Sequence, residues 1–440
     1  MTRTRTGQRT GVALAATLTA LAIVAACSSG GGSAAAPQSA NTSGAAPTGV
    51  TLTVWRSPLD TPAINNLYKA YEKASGNKLN LVSLPSDAYE VTVKTKFVTG
   101  SKPDILNFAA GVDQISQLNP AKNLIDLSDL DFIKREGSLA KSAGYFNGHT
   151  YAVALGPVAS YGIFYNKQVF ANAGLEPPKT FDDLKTVCST LKSKAPAVAP
   201  IFEAGGEGWP PQILAGMLYV TDANKDGAYV ASLMDGSAKL SDANSPLVKG
   251  LADYAEFRTS HCFNSDATTA KLGDSAKALL AGKAAMVAQV DSAMTPLLAD
   301  DPAAARKIGF VGVSASGPVV ATTPNITGTY YAPKTGDAIK ERAAVDFINF
   351  ITGKGYQQYI NDANAVPTLS GVDAPKQVGL NAAVATALQS GSAPTYLTNL
   401  PASTALGPLA LQVLAGQISP QDVGVKMNVS FEAAKQKLAK

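Results

Sequence analysis

The chain has little of what covalent or metal chemistry needs: three cysteines, two histidines and two tryptophans in 440 residues. His149 and His261 have no further ligand at metal-binding spacing, so no zinc motif links them. A Gly-x-Ser-x-Gly nucleophile elbow does not occur. No cofactor and no resident metal are expected. Charge is also sparse: 16% of residues are Asp, Glu, Lys or Arg, and the formal net charge is +4. That is too little for the basic face that nucleic acid requires. Past residue 26 no segment offers the roughly 18 consecutive apolar residues of a spanning helix. What remains is a chain 46% hydrophobic and long enough for two domains of ordinary size.

The N-terminus is the exception to this even composition. Thr2 to Arg9 is basic, and Gly11 to Ala25 is apolar but too short to span a bilayer comfortably. The run Val24-Ala25-Ala26-Cys27 closes it and resembles the lipobox of bacterial lipoproteins. The resemblance implies a signal peptide over 1–26, diacylglycerol on the Cys27 thiol with palmitate-type acylation, and cleavage before Cys27. Removing that segment takes away Arg3, Arg5 and Arg9, leaving a near-neutral body. Residues 27–49 are Gly, Ser, Ala, Pro, Asn and Thr without aliphatic periodicity, which reads as a flexible tether. The body is then expected outside the cytoplasmic membrane, reaching it through lipid alone. Cys188 and Cys262 remain. In an exported chain they favour one disulfide over two buried thiols, worth about 4 kcal/mol in the chain-entropy model.

The body alternates strand and helix. Val50 to Trp55 reads as a strand, and Thr61 with Pro62 opens a helix whose stripe is Ile64, Leu67, Tyr68 and Tyr71. Leu79 to Val82, a helix from about Tyr89 to Thr99, and a strand over Pro103–Phe108 follow. The rhythm returns with Ile163–Asn166, a capping box at Thr180–Asp183, a helix at Asp274–Leu280, and strands at Ala284–Val287 and Ile308–Val313. Helices at Ala343–Ile351 and from Ser419 onward close the chain. The alternation predicts mostly parallel sheets flanked by helices, and no internal repeat is found.

Several segments resemble, in order and spacing, the extracellular solute-binding proteins of ABC importers, in the carbohydrate-binding family that includes maltose-binding protein. They are the opening strand with Trp55, Phe97-Val98-Thr99-Gly100-Ser101-Lys102-Pro103-Asp104-Ile105, and Leu124-Ile125-Asp126-Leu127-Ser128. A longer run carries Asn147-Gly148-His149-Thr150-Tyr151, Tyr165-Asn166-Lys167, Ala173-Gly174-Leu175, and Pro177-Pro178-Lys179-Thr180-Phe181-Asp182-Asp183-Leu184. Ala281-Gly282-Lys283-Ala284-Ala285-Met286 completes the set. These motifs encode turns and caps more than ligand chemistry.

The resemblance implies a two-lobed α/β fold of the periplasmic-binding-protein type, with a ligand cleft between the lobes. It assigns 50–156 plus 312–336 to an N-terminal lobe and 157–311 plus 337–440 to a C-terminal lobe. Crossings would fall near Ala154–Gly156, Val311–Val313 and Ala332–Pro333. It implies a small carbohydrate as ligand, the transmembrane subunits of an ABC permease as partners, and a monomer that is not an enzyme. Candidate contacts lie in loops after strands and at the crossings: Arg56, Ser57, Asp87, Asn107, Phe108, Trp209 in a glycine-rich loop, Gln289, Asp291, Asn325 and Tyr330. Carboxylates and amides suit sugar hydroxyls, and aromatic faces suit C–H surfaces. One departure points to a small or polar ligand: Gln289-Val290-Asp291-Ser292 stands where many relatives continue Gly-x-Trp. A polyamine, peptide or chelate as cargo, or a glycoside hydrolase built on two carboxylates, stays open. Asp222 to Gly227 matches half of an EF-hand loop, but Leu233 stands where the bidentate Glu belongs, which reads as a plain turn with a structural calcium site as the lesser alternative.

Overall fold

The computed structural model describes residues 37–56, 60–84, 89–137, 143–156, 158–299, 301–323, 328–395 and 400–438. Cys27, Ser57, Asp87 and Asn325 lie outside them. Eleven of its strands are β1 (Thr51–Arg56), β2 (Lys78–Ser83), β3 (Ile105–Asn107), β4 (Ala152–Ala154), β5 (Ala159–Asn166), β6 (Ala199–Ile201), β7 (Ala284–Val290), β8 (Ile308–Val311), β9 (Val320–Thr323), β10 (Thr329–Tyr331) and β11 (Ser392–Pro394). The helices that matter here are α1 (Pro62–Ser75), α2 (Tyr89–Val98), α3 (Val112–Gln117), α4 (Phe181–Lys194), α5 (Asp291–Leu298), α6 (Ala338–Thr352), α7 (Tyr356–Ala363), α8 (Gly379–Ser390), α9 (Leu406–Leu414) and α10 (Pro420–Leu438).

The strands form two larger sheets. One has the order β2-β1-β3-β10-β4, with β1 parallel to β2 and β3, and β10 reversed against β3 and β4. The other has the order β6-β7-β5-β9-β11, with β8 also on β5. Here β5 alone runs against its neighbours β7, β8 and β9. Each sheet is therefore a parallel array interrupted by one reversed strand. Parallel strands need covered faces, and both sheets have them.

Alternate residues of the first sheet point to opposite cores. Leu52, Val54, Ile105, Val153 and Tyr330 meet α1, α6 and α7 on one side. Trp55, Leu106, Ala152 and Tyr331 meet α2 and α3 on the other. The second sheet has a separate core built with α4, α9 and α10. Local signals set the helix ends as expected: Thr61 caps α1, Gly76 closes it in the left-handed region, and Thr180 with Asp183 makes a reciprocal capping box on α4.

Three expectations are corrected. First, β9 pairs with β5, and α6 and α7 pack on the first sheet's core through Phe347, Ile348, Tyr356 and Ile360. The second and third crossings thus fall between 323 and 329 and between 369 and 384, later than Val311–Val313 and Ala332–Pro333. An apolar stripe dictates a helix, not which sheet it covers. Second, the tether is not free along its whole length: Gln38–Ser39 pairs with Ile125–Asp126, and the Asn77 side-chain amide donates to the Pro47 carbonyl. Backbone ladders and polar contacts, which hydropathy does not report, hold it. Third, the strand at Ile163 begins four residues earlier, at Ala159.

Cys188 on α4 is bridged to Cys262. No described helix is long and apolar enough to cross a membrane.

Candidate functional site

Parallel β1 and β3 bring their last residues, Arg56 and Asn107, out at the same edge of the first sheet. The reversed strand β10 sets Tyr330 directly opposite Asn107. The chain returns after β1 to place Asp60, whose side chain is wholly buried, against this edge. Asn107 donates from Nδ2 to Asp60 Oδ1 at 2.8 Å, and Tyr68 Oη on α1 donates to Asp60 Oδ2 at 3.2 Å. Arg56 Nε lies 3.2 Å from Asp60 Oδ2. The Tyr68 and Tyr330 hydroxyls are 3.0 Å apart, and Gly328 N–H donates to Asn107 Oδ1 at 3.4 Å. Tyr89 Oη donates to the Asn107 carbonyl.

This network ties β1, α1, β3 and the crossing segment together around one acid. Burial raises the Asp60 carboxyl to about 6, against the opposing pull of Arg56. Burial also holds the phenols of Tyr68 and Tyr330 well above their usual range, so both stay protonated donors. A guanidinium that still reaches solvent, backed by an acid, an amide and two phenols, supplies donors and acceptors at a strand end, where open parallel sheets bind ligands.

Asp291 opens α5 directly after β7. Its Oδ1 accepts from Ser160 N–H at 2.9 Å and Ser292 N–H at 2.7 Å. Burial raises this carboxyl to about 7. Asp291 and Ser160 border a cavity of about 340 Å³ whose other walls include Asn364, Thr368, Asn381, Val384 and Leu388. Those walls come from the loop after α7 in the first lobe and from β5, α5 and α8 in the second.

The other candidates are placed differently. Phe108 is fully buried, packed between Tyr89 and Tyr331. Gln289 is buried in β7 and its Oε1 accepts from Val290 N–H at 2.8 Å. Trp209 is partly buried against the second core, with α9 over it: a Cβ on Gly407 would come within 3.1 Å of Trp209 Cα. The glycine-rich loop before it answers to packing, since a Cβ on Gly206 would sit 2.2 Å from the Thr269 carbonyl oxygen. Asp222, first residue of the EF-hand-like segment, accepts from Ser316 N–H at 2.8 Å and lies 3.5 Å from Lys225 Nζ. Among the described residues no group of three or more His, Cys, Asp or Glu is placed to hold a metal ion.

So the structure joins Arg56, Asn107 and Tyr330 in one cluster, with Asp291 at a separate cavity. Sequence reasoning missed Asp60, Tyr68 and Ser160. Asp60 precedes the helix cap Thr61, which was a usable signal. Tyr68 reads only as part of a buried stripe.

Two α/β lobes carry a polar cluster at the carboxyl ends of parallel strands, beside the segments that join them, an arrangement suited to a small ligand. The family of bacterial extracellular solute-binding proteins matches residues 57–358, more than half of the chain, and the chain belongs to that family. An uncharacterised ABC transporter extracellular-binding protein of Pyrococcus horikoshii is 27% identical over 209 residues, 46% of each chain. The chain thus spans about half the length of that curated relative. A chitin oligosaccharide binding protein has the same fold, with a TM-score of 0.75 at 20% identity over 88% of this chain and 99% of that one. The solute-binding protein RafE in complex with raffinose gives 0.72 at 20% identity, over 88% and 100%.

Proposed function

We propose that this chain captures a small carbohydrate outside the cytoplasmic membrane and passes it, chemically unchanged, to an ABC permease. The observation that carries the reading is the Asp60–Arg56–Asn107 cluster at the strand ends of a fold it shares with carbohydrate-binding proteins. Lobes closing on the cargo bury it from both sides, so ligand contacts favour the shut state. A permease then reads that shape. Diacylglycerol on Cys27 keeps the monomer near the membrane. Alanine at Cys27 should abolish palmitate labelling of the full chain.

The test is a thermal-shift screen of the full chain with raffinose, chitin oligosaccharides and monosaccharides. Polyamines, peptides and iron chelates serve as comparators, and bound sugar is recovered for mass analysis. Stabilisation by a carbohydrate recovered intact is expected. A shift with only a non-sugar comparator, or a sugar returned cleaved, overturns the reading.

A further inference from the structure

Asp113 belongs to α3 of the first lobe, yet its main partners belong to the second. Its buried carboxylate accepts from Ala402 N–H at 2.9 Å, from the Thr404 hydroxyl at 2.7 Å and from Thr404 N–H at 3.4 Å. Gln117 Nε2, within α3 itself, donates to Oδ1 at 3.2 Å. Both ends of the contact are anchored. Ile115 fixes α3 in the first lobe's core, while Leu406, Ala410 and Val413 fix α9, which starts two residues past Thr404, in the second lobe's core. Ala402 adopts a φ of 62°, in the left-handed region, where an alanine is strained. The chain accepts that strain in the stretch that presents two N–H groups to the carboxylate.

The contact does not continue a packed interface. Next to it lies a cavity of about 540 Å³, walled by Ser116, Gln117 and Phe146 from the first lobe and Ala405, Ser430 and Ala434 from the second. A charged acceptor meeting three donors across a gap is strong while it is dry. It is readily exchanged for water when the lobes part, because Asp113, Ala402 and Thr404 themselves border that cavity.

We infer that Asp113 is a closing latch, a positioning residue that holds the two lobes shut and slows cargo release without touching cargo. This rests on the clamp reading above. The latch biases the equilibrium before any ligand arrives, since its partners are all part of the chain itself. Truncating one side of a desolvated charged contact acts mainly on dissociation.

The test needs no cargo. Fluorophores are placed on the full chain at V98C in α2 and V429C in α10, two strongly exposed positions, one on each lobe. Energy transfer is then compared for the ligand-free parent, D113A, D113N and T404V. D113A should shift the distance distribution away from the parent's compact population. T404V, which keeps both backbone donors, should give a smaller shift in the same direction, and T404S should restore the parent. T404V also decides the matter if D113A does not fold. For a sugar that stabilises the parent, D113A should release it about ten-fold faster, with association changed by less than about two-fold. An unchanged distance distribution in D113A or T404V overturns the latch. Absence of any sugar binding by the parent counts against the carbohydrate reading alone, because the ligand-free measurement stands without it.

Discussion

The hydroxyls of Tyr68 and Tyr330, 262 positions apart in the chain, meet at 3.0 Å beside the buried Asp60 carboxylate. The pair fastens α1 to the segment by which the chain returns to the first lobe. Their rings also share Phe347, at centroid distances of 6.2 and 5.6 Å, so the polar and apolar parts of this joint rest on the same helix, α6.

Y330F should therefore cost about 1 kcal/mol in urea unfolding, because Tyr68 and Asn107 lose a partner where water does not replace it. Removing both phenols, in Y68F/Y330F, should cost less than the two single losses combined. The cycle checks this. Additive losses would mean the two hydroxyls do not interact.

Glu203 gives a pH prediction. Burial in the second lobe raises its carboxyl to about 7, despite hydrogen bonds from Tyr254 Oη and Ala204 N–H. A raised folded-state pKa stabilises the protein fully below the unfolded value, near 4.5, and that contribution is lost as pH rises through about 7. E203Q escapes the loss. It should match the parent near pH 4 and exceed it by about 2–3 kcal/mol at pH 8. Equal stabilities at both pH values would refute it.

The Cys188–Cys262 bridge joins α4 to the segment just past the Pro246–Thr259 helix, with a sequence separation of 74. Replacing both cysteines by alanine should lower stability by about 3–4 kcal/mol. Hydrogen exchange should rise in β6 and β7 ahead of β1 and β3, because the bridge braces only the second lobe.

At Gly206 an added methyl meets backbone, not a movable side chain. G206A should destabilise the second lobe by about 1–3 kcal/mol, as overpacked cores do. The displaced loop should carry Trp209 toward solvent, seen as a red shift in its emission. A variant with unchanged melting and emission would show the loop has slack.

Where neighbours in sequence are neighbours in space, the structure was legible. The caps at Thr61 and Thr180, the turn at Gly76, and the parallel pairing of the first strands follow from short-range chemistry. Pairings over long sequence distance were not legible. Nothing local tells α6 to cover β1 instead of the second sheet, because its stripe of Ala343, Phe347 and Ile351 would suit either. The same holds for the site. Asn107 was visible as a strand end, but its partner Asp60 depends on how the chain returns after β1. Phe108, next to Asn107, turned out to be core because alternation along the strand sends it to the opposite face.

The late arrival of α6 and α7 has a further consequence. Leu52, Val54 and Ile105 are made early during synthesis, yet the helices that cover them end only at Ala363. A nascent chain cannot finish its first hydrophobic core until most of its length has emerged. Until then the apolar face of the first sheet has no complete cover, and the chain stays open late into its own synthesis.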